Sequence, residues 1–255
     1  MNGLRGKTVL IAGGTGGVGT ATALRLGAEG ANVVVGSRRQ ESAAQVADAV
    51  TTAGGTAIAV RLDIVDETSV AAAVQTAAES FDGLDALHVN AANMTPEVIV
   101  NDSDAVSIDL DVFDATVEVN LRGAFLCARQ AVPALLASGG GALVYTSSSA
   151  AFVGEPERPA YAMTKTGMHA LVRHVASRWG RDGIRANAVA PGPVPSEAVL
   201  PYLDQAMLDG MRSTLRSPRL GRPEDVAAMV AFLVSDDGEW INGQVINVDG
   251  GMVLR

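Results

Sequence analysis

Tyr161 and Lys165 stand four residues apart in Tyr161-Ala162-Met163-Thr164-Lys165, and a glycine-rich turn, Gly13-Gly14-Thr15-Gly16-Gly17-Val18-Gly19, follows the first apolar run of the chain. On a helix that spacing brings phenol and ammonium to one face, about 5 to 6 Å apart at Cβ, where the cation favours the phenolate. A tyrosine so placed moves a proton near neutral pH. The turn suits a nucleotide, so the two features together point to redox chemistry on a carbonyl or an alcohol. Neither decides the matter alone. A tyrosine and a lysine at helical spacing also make an ordinary exposed pair, and glycines after a strand also make a plain tight turn.

The turn fits more than one template. Gly14-x-Gly16-x-x-Gly19 is the dinucleotide pattern, in which glycines allow a tight turn and the approach of a pyrophosphate to a helix N-terminus. A phosphate loop for ATP or GTP needs a lysine after its last glycine, and Thr20 stands there instead. The end of the second apolar run distinguishes the cofactors. It reads Val33-Val34-Val35-Gly36-Ser37-Arg38-Arg39, with no acid before Glu41. An acid there would bind a ribose 2′-hydroxyl, whereas arginine accommodates a 2′-phosphate, so NADP(H) is favoured over NAD(H). Cations at a helix start oppose the dipole, which gives these two arginines a reason to meet a phosphate.

Elements that would position these residues follow from the alternation of short valine- and isoleucine-rich runs with alanine-rich stretches, the pattern of a parallel sheet with helices on both faces. Strands are expected at 7 to 12, 32 to 36, 56 to 61, 85 to 90, 141 to 146, 184 to 189 and 244 to 248. Helices are expected at 17 to 29, 39 to 53, 67 to 80, 109 to 137 with a break near Asn120, 160 to 180 and 223 to 235. The whole chain, 1 to 255, reads as one doubly wound α/β Rossmann-fold domain with a seven-stranded parallel sheet. Pro191 to Pro218 departs from the rhythm, with five prolines around a short helical segment, and is expected to form a small substrate lid. Its Val199, Leu200, Tyr202, Leu203, Met207, Leu208 and Met211 suggest a greasy wall, or simple packing of the lid on the body.

The charge balance narrows the partners. Nineteen basic against 28 acidic residues give a net charge of −9, which opposes nucleic acid and anionic membrane surfaces. The single cysteine, Cys127, sits among apolar residues as a core side chain, and no run approaches a membrane span or a signal peptide, so a cytoplasmic place is expected. His88, His169 and His174 lack metal-ligand spacing, and no metal is expected. Trp179 and Trp240 read as packing anchors. Glu155, Glu157 and Arg158, just before Tyr161, are placed either to touch a polar substrate group or to be solvated.

A longer set of residues then falls into order. Ala12, Gly13, Gly17, Val18 and Gly19 form one cofactor turn; Asp63 ends the third strand; Asn90-Ala91 ends the fourth; Asn120 lies in Val119-Asn120-Leu121. Ser148, within Ser147-Ser148-Ser149, precedes Tyr161 by 13 residues, and Pro191-Gly192 is followed by Val194 and Ser196. Arg219-Leu220-Gly221 and Asn247-Val248-Asp249-Gly250-Gly251 close the series. With these motifs the chain resembles the short-chain dehydrogenases/reductases over essentially its whole length.

That resemblance implies a catalytic set of Asn120, Ser148, Tyr161 and Lys165, with Tyr161 as general acid or base and Ser148 bonded to the substrate oxygen. Lys165 would lower the Tyr161 pKa and hold the nicotinamide ribose, while Asn120 would anchor a water. It implies cofactor contacts at Gly13, Thr15, Gly17, Val18, Gly19, Ser37, Arg38, Arg39, Asp63, Asn90, Ala91, Tyr161, Lys165, Pro191, Gly192, Val194 and Ser196. A homotetramer is implied, associated through the helices at 120 to 137 and 160 to 180 and the C-terminal strand. The small-molecule partner would be a ketone or aldehyde and its alcohol. A 3-oxoacyl thioester reductase, on acyl carrier protein or CoA, is a rival, with only Arg212, Arg216 and Arg219 as a basic rim. A dinucleotide-binding redox sensor without turnover is a rival of another class. Two departures stand out. Val89 and Ala92 replace the family's first asparagine and its glycine. Asn93 to Asp111 is longer than the norm by roughly half a dozen residues, a tolerable loop insertion that puts substrate access near Met94 to Asp104 in doubt.

Overall fold

Valine, leucine and alanine runs too short for helices become strands whose two faces are both covered, and their alternate side chains enter two cores. The computed structural model describes residues 1–195 and 199–254. Among them the strands are β1 (Thr8–Ala12), β2 (Asn32–Ser37), β3 (Thr56–Arg61), β4 (Ala86–Val89), β5 (Gly141–Thr146), β6 (Ile184–Pro191) and β7 (Val245–Val248). They form one parallel sheet of seven strands in the order β3-β2-β1-β4-β5-β6-β7. Leu10, Val34, Leu87 and Leu143 enter one core, and Val9, Ile11, Val33, Val35 and Val144 enter the other.

The helices are α1 (Gly17–Ala28), α2 (Gln40–Thr52), α3 (Glu67–Ser80), α4 (Pro96–Asn101), α5 (Leu110–Val117), α6 (Gly123–Ala137), α7 (Pro159–Trp179), α8 (Gln205–Ser213) and α9 (Pro223–Val234). Helices α1, α2 and α9 cover one face; α3, α6 and α7 cover the other. Strand order reverses between β1 and β4, and a crevice opens there at the carboxyl ends of the strands.

The single helix expected at 109 to 137 is α5 and α6 joined by one π turn, Glu118–Arg122, which is the break expected near Asn120. Such a turn admits an extra residue and re-aims what it carries; here it turns the Asn120 side chain inward, where it is buried. Helix α4 has no counterpart among the expected elements and lies in the segment between β4 and α5. Trp179 packs against a core, but Trp240 is 98% exposed and anchors nothing within the chain, contrary to expectation. It lies in the short run between the turn Asp236–Gly238 and β7, outside both layers. No helix among the described residues is long and apolar enough to cross a membrane.

Candidate active site

A cavity of about 1370 Å³ lies at the crevice, reaching from the glycine turn past β4 and β5 to α8. The turn is shaped by what its glycines exclude. Gly13 adopts φ +89, and a Cβ there would stand 2.6 Å from the Ala91 nitrogen. A Cβ on Gly19 would stand 2.2 Å from the Gly13 carbonyl oxygen, so the first turn of α1 presses directly on the loop. A Cβ on Gly16 would meet nothing within 4 Å. A Cβ on Gly14 would stand 2.6 Å from Val35 Cγ1, so Gly13, Gly14 and Gly19 are all close-packed, while Gly16 faces open space. Helix α1 starts at Gly17 with no side-chain cap and no acid in its first turn, so its leading N–H groups are left for an anion.

Gly13, Thr15, Gly17 and Val18 line the cavity, and so do Ser37, Arg38, Arg39 and Asp63. Thr15 and Ser37 hydroxyls lie 3.2 Å apart, tying the turn to the end of β2. Arg38 and Arg39 are exposed, and neither has a carboxylate partner among the described residues. Asn90 donates from Nδ2 to the Gly13 carbonyl at 3.0 Å and accepts from the Thr146 hydroxyl at 3.0 Å, bridging β1, β4 and β5. The Thr146 hydroxyl proton being so used, His88 Nε2–H donates to Thr146 Oγ1 at 2.9 Å. Burial holds His88 neutral, with its pKa pushed down to about 3. Ala91, Pro191, Gly192 and Val194 complete this wall. Ser196 lies outside the described residues.

Ser148, Tyr161 and Lys165 line the same cavity, as expected from their spacing. Ser148 lies two residues past β5 in extended backbone, and its hydroxyl accepts from the Ala150 N–H at 3.2 Å. Lys165 is buried, one turn along α7 from Tyr161, and its Nζ donates to the Thr146 carbonyl at 2.7 Å. Burial lowers its pKa to about 8. The Lys165 ammonium lies 5.6 Å from the centre of the Tyr161 ring. The phenol itself departs from expectation. Burial raises the Tyr161 pKa above the ordinary value; the Ser148 hydroxyl and the Arg158 cation pull it down, and Glu155 pushes it up. The Lys165 ammonium is aimed at a backbone carbonyl, that of Thr146.

Asn120 does not reach the cavity wall. Its Oδ1 accepts from the Asn93 N–H at 2.7 Å, and its Nδ2 donates to Thr164 Oγ1 at 3.4 Å, linking the start of the segment between β4 and α5 to α7. Two contacts beside the expected serines and lysine were not foreseen from the sequence. Ser147 Oγ lies 2.7 Å from His169 Nε2, and Asp102 accepts from the N–H groups of Ala160 and Tyr161. No spacing rule joins these residues: Ser147 lies 22 residues before His169, and Asp102 lies 58 and 59 residues before the amides it accepts. In the stretch expected to form a lid, Val199, Leu203 and Met211 line the cavity, whereas Tyr202 is 83% exposed and Met207 is half exposed.

The cavity thus brings the glycine turn and Tyr161 to one place. A family model described as Enoyl-(Acyl carrier protein) reductase matches residues 12–253. A probable short-chain type dehydrogenase/reductase of Bradyrhizobium diazoefficiens is 41% identical, over 100% of this chain and 90% of its own. The chain belongs to the short-chain dehydrogenases/reductases. The cis-4-hydroxycyclohexanecarboxylate dehydrogenase of Sinomonas cyclohexanicum is 36% identical over 96% of both chains. Among solved structures, a 7 alpha-hydroxysteroid dehydrogenase complexed with NADH and 7-oxo glycochenodeoxycholic acid superposes with a TM-score of 0.90 at 29% identity, covering 99% of this chain and 96% of that one. As a member of this family the chain is an oxidoreductase acting between C–OH and C=O groups.

Proposed function

We propose that this short-chain dehydrogenase/reductase interconverts a ketone or aldehyde with its alcohol using NADP(H), with Tyr161 as the proton-transfer group. The observation that carries the reading is the single cavity shared by Ser148, Tyr161, Lys165, the glycine turn and the two unpaired arginines. The turn fits a nicotinamide dinucleotide: Gly13 and Gly19 leave no room for a side chain, and the uncapped start of α1 offers N–H groups to a pyrophosphate. Gly17, Val18 and Thr15 would hold the phosphates, Asp63 the adenine side, and Arg38, Arg39 and Ser37 the 2′-phosphate. Asn90, Ala91, Pro191, Gly192, Val194 and Ser196 would hold the ribose and nicotinamide.

When bound, the nicotinamide gives a hydride to, or takes one from, the carbon that bears the reacting oxygen. On reduction, negative charge grows on that oxygen, and the Ser148 hydroxyl donates a hydrogen bond to it. Tyr161 gives its proton to the same oxygen, completing the alcohol; in oxidation it takes the proton back. Lys165, whose ammonium lies 5.6 Å from the centre of the Tyr161 ring, would hold the ribose hydroxyls. Asn120 keeps Asn93 and α7 in register through its two bonds.

Two of these similar proteins, the cis-4-hydroxycyclohexanecarboxylate dehydrogenase and the 7 alpha-hydroxysteroid dehydrogenase, are named for alcohols on alicyclic rings, which makes cyclic secondary alcohols the first substrates to test. The description of the matching family model favours a second reading, an acyl thioester reductase. The rim such a carrier would need is poorly supplied: Arg212 is paired with Asp209 and Arg219 with Asp225. We also propose a cytoplasmic homotetramer, supported by exposed Phe125 on α6 and Met163 on α7, and a lid over 191 to 218.

The test is a turnover screen of cyclic and acyclic ketones, their alcohols and 3-oxoacyl thioesters, each with both nicotinamide cofactors. Turnover of ketones or alcohols with NADPH or NADP supports the reading. Tight NADPH binding without oxidation by any carbonyl would instead identify a sensor.

A further inference from the structure

Helix α7 carries Tyr161 in its first turn, yet it cannot cap itself. Its N-cap residue is Arg158, in left-handed backbone with φ 64 and ψ 47, and the arginine side chain offers no acceptor. Backbone in that region is costly for a residue with a side chain and persists only where the surroundings hold it. The leading N–H groups can be accounted for one by one. Pro159 has none. The N–H of Ala160 donates to Asp102 Oδ1 at 3.1 Å, that of Tyr161 donates to Asp102 Oδ2 at 2.9 Å, and that of Ala162 goes to the Arg158 carbonyl at 3.0 Å. The Arg158 N–H donates to the Asp102 carbonyl at 2.8 Å. Asp102, 58 and 59 residues upstream of the amides it accepts, therefore serves as the missing cap with both side chain and backbone, and it is only 2% exposed.

The segment bearing Asp102 is fastened at two points. It starts at Asn93, held by Asn120, and passes through α4, whose end is closed by the Asp102 N–H on the Val98 carbonyl at 2.9 Å. Between these fixings it contributes Met94 and Ile99 to the cavity wall. The segment between β4 and α5 is thus a strap joining the Asn120 turn to the first turn of α7.

We propose that Asp102 is a positioning residue for Tyr161: its carboxylate fixes the start of α7, and with it the distance of the phenol from Ser148. The inference rests on Tyr161 as the proton-transfer group. Asp102 touches neither substrate nor cofactor in this scheme; it acts through the helix.

Asp102→Ala and Asp102→Asn are compared with the parent for steady-state kinetics, NADPH affinity and amide exchange. Loss of both acceptors in Asp102→Ala is expected to lower kcat about a hundredfold, the effect of a misplacement near 1 Å, with KM and NADPH Kd within about threefold. Asp102→Asn keeps one acceptor and is expected to recover about tenfold of that loss. The Tyr161 amide is expected to exchange about tenfold faster in Asp102→Ala, while amides at Val172 and Val175 deeper in α7 are unchanged. An unchanged kcat per folded molecule overturns the proposal, as does a loss of kcat accompanied by matching losses in KM and Kd. If Asp102→Ala does not fold, the same comparisons are read from Asp102→Asn. If the parent turns over no substrate, the reading of Tyr161 fails, and amide exchange alone then decides the proposal: unchanged exchange at Tyr161 overturns positioning by Asp102.

Discussion

Lys165→Met should make the ligand-free protein more stable at neutral pH while abolishing its usefulness as an enzyme. Lys165 is buried, and burial drags its pKa from 10.5 to about 8. At about 1.4 kcal/mol per pH unit, holding the proton in the folded state costs ~3 kcal/mol wherever both states are protonated. The methionine has a stem of similar length and no charge. It forfeits the bond to the Thr146 carbonyl, worth about 1 kcal/mol, so the net gain at pH 7 is ~2 kcal/mol. For a chain of this size that corresponds to a rise in Tm of roughly 4 to 8 °C. The sign follows from proton counting. Between about 8 and 10.5 the unfolded lysine still holds its proton and the folded one has released it, so parent stability rises with pH. The advantage of the variant is full below about pH 8, shrinks above it and reverses by about 10.5, where only the lost hydrogen bond remains. Thermal unfolding of both proteins across that range measures it. A difference in Tm that does not change with pH, or a variant less stable at pH 7, would refute the reasoning.

Gly19→Ala and Gly16→Ala should separate sharply. The first puts a methyl 2.2 Å from the Gly13 carbonyl oxygen and should cost about 1 to 3 kcal/mol of stability, with a clear loss of NADPH affinity. The second meets nothing within 4 Å and should change stability by no more than about 0.5 kcal/mol, as thermal unfolding and cofactor titration can show. Arg38→Ala should weaken NADPH by about tenfold or more and NADH by far less, since a charge-assisted bond to phosphate is worth about 1.5 to 3 kcal/mol; equal losses for both cofactors would point to NAD(H).

The sheet was legible because its strands are buried on both faces and so read as continuous valine and leucine runs, and their ends agree with expectation to within about two residues, the usual ambiguity of element boundaries. Ser148, Tyr161 and Lys165 were legible because chemistry fixes their spacing along one strand end and one helix. The π turn showed itself only as a break near Asn120, since the extra residue leaves no compositional mark. Asp102 was hidden for a different reason. A capping rule looks for an acceptor just before the helix, and Arg158 occupies that place while the acceptor arrives from another segment. The pKa order was hidden too: four-residue spacing places Lys165 near Tyr161, but only the fold shows that its ammonium is drawn to the Thr146 carbonyl.

Tyr161→Phe, measured by single-turnover hydride transfer with NADPH and by cofactor binding, reaches the core of the mechanism most directly. The variant should bind NADPH as the parent does and transfer hydride at least about a thousandfold more slowly, because it removes the hydroxyl assigned to protonate the oxygen. Hydride transfer at a rate comparable to the parent would remove Tyr161 from the reaction and contradict the mechanism.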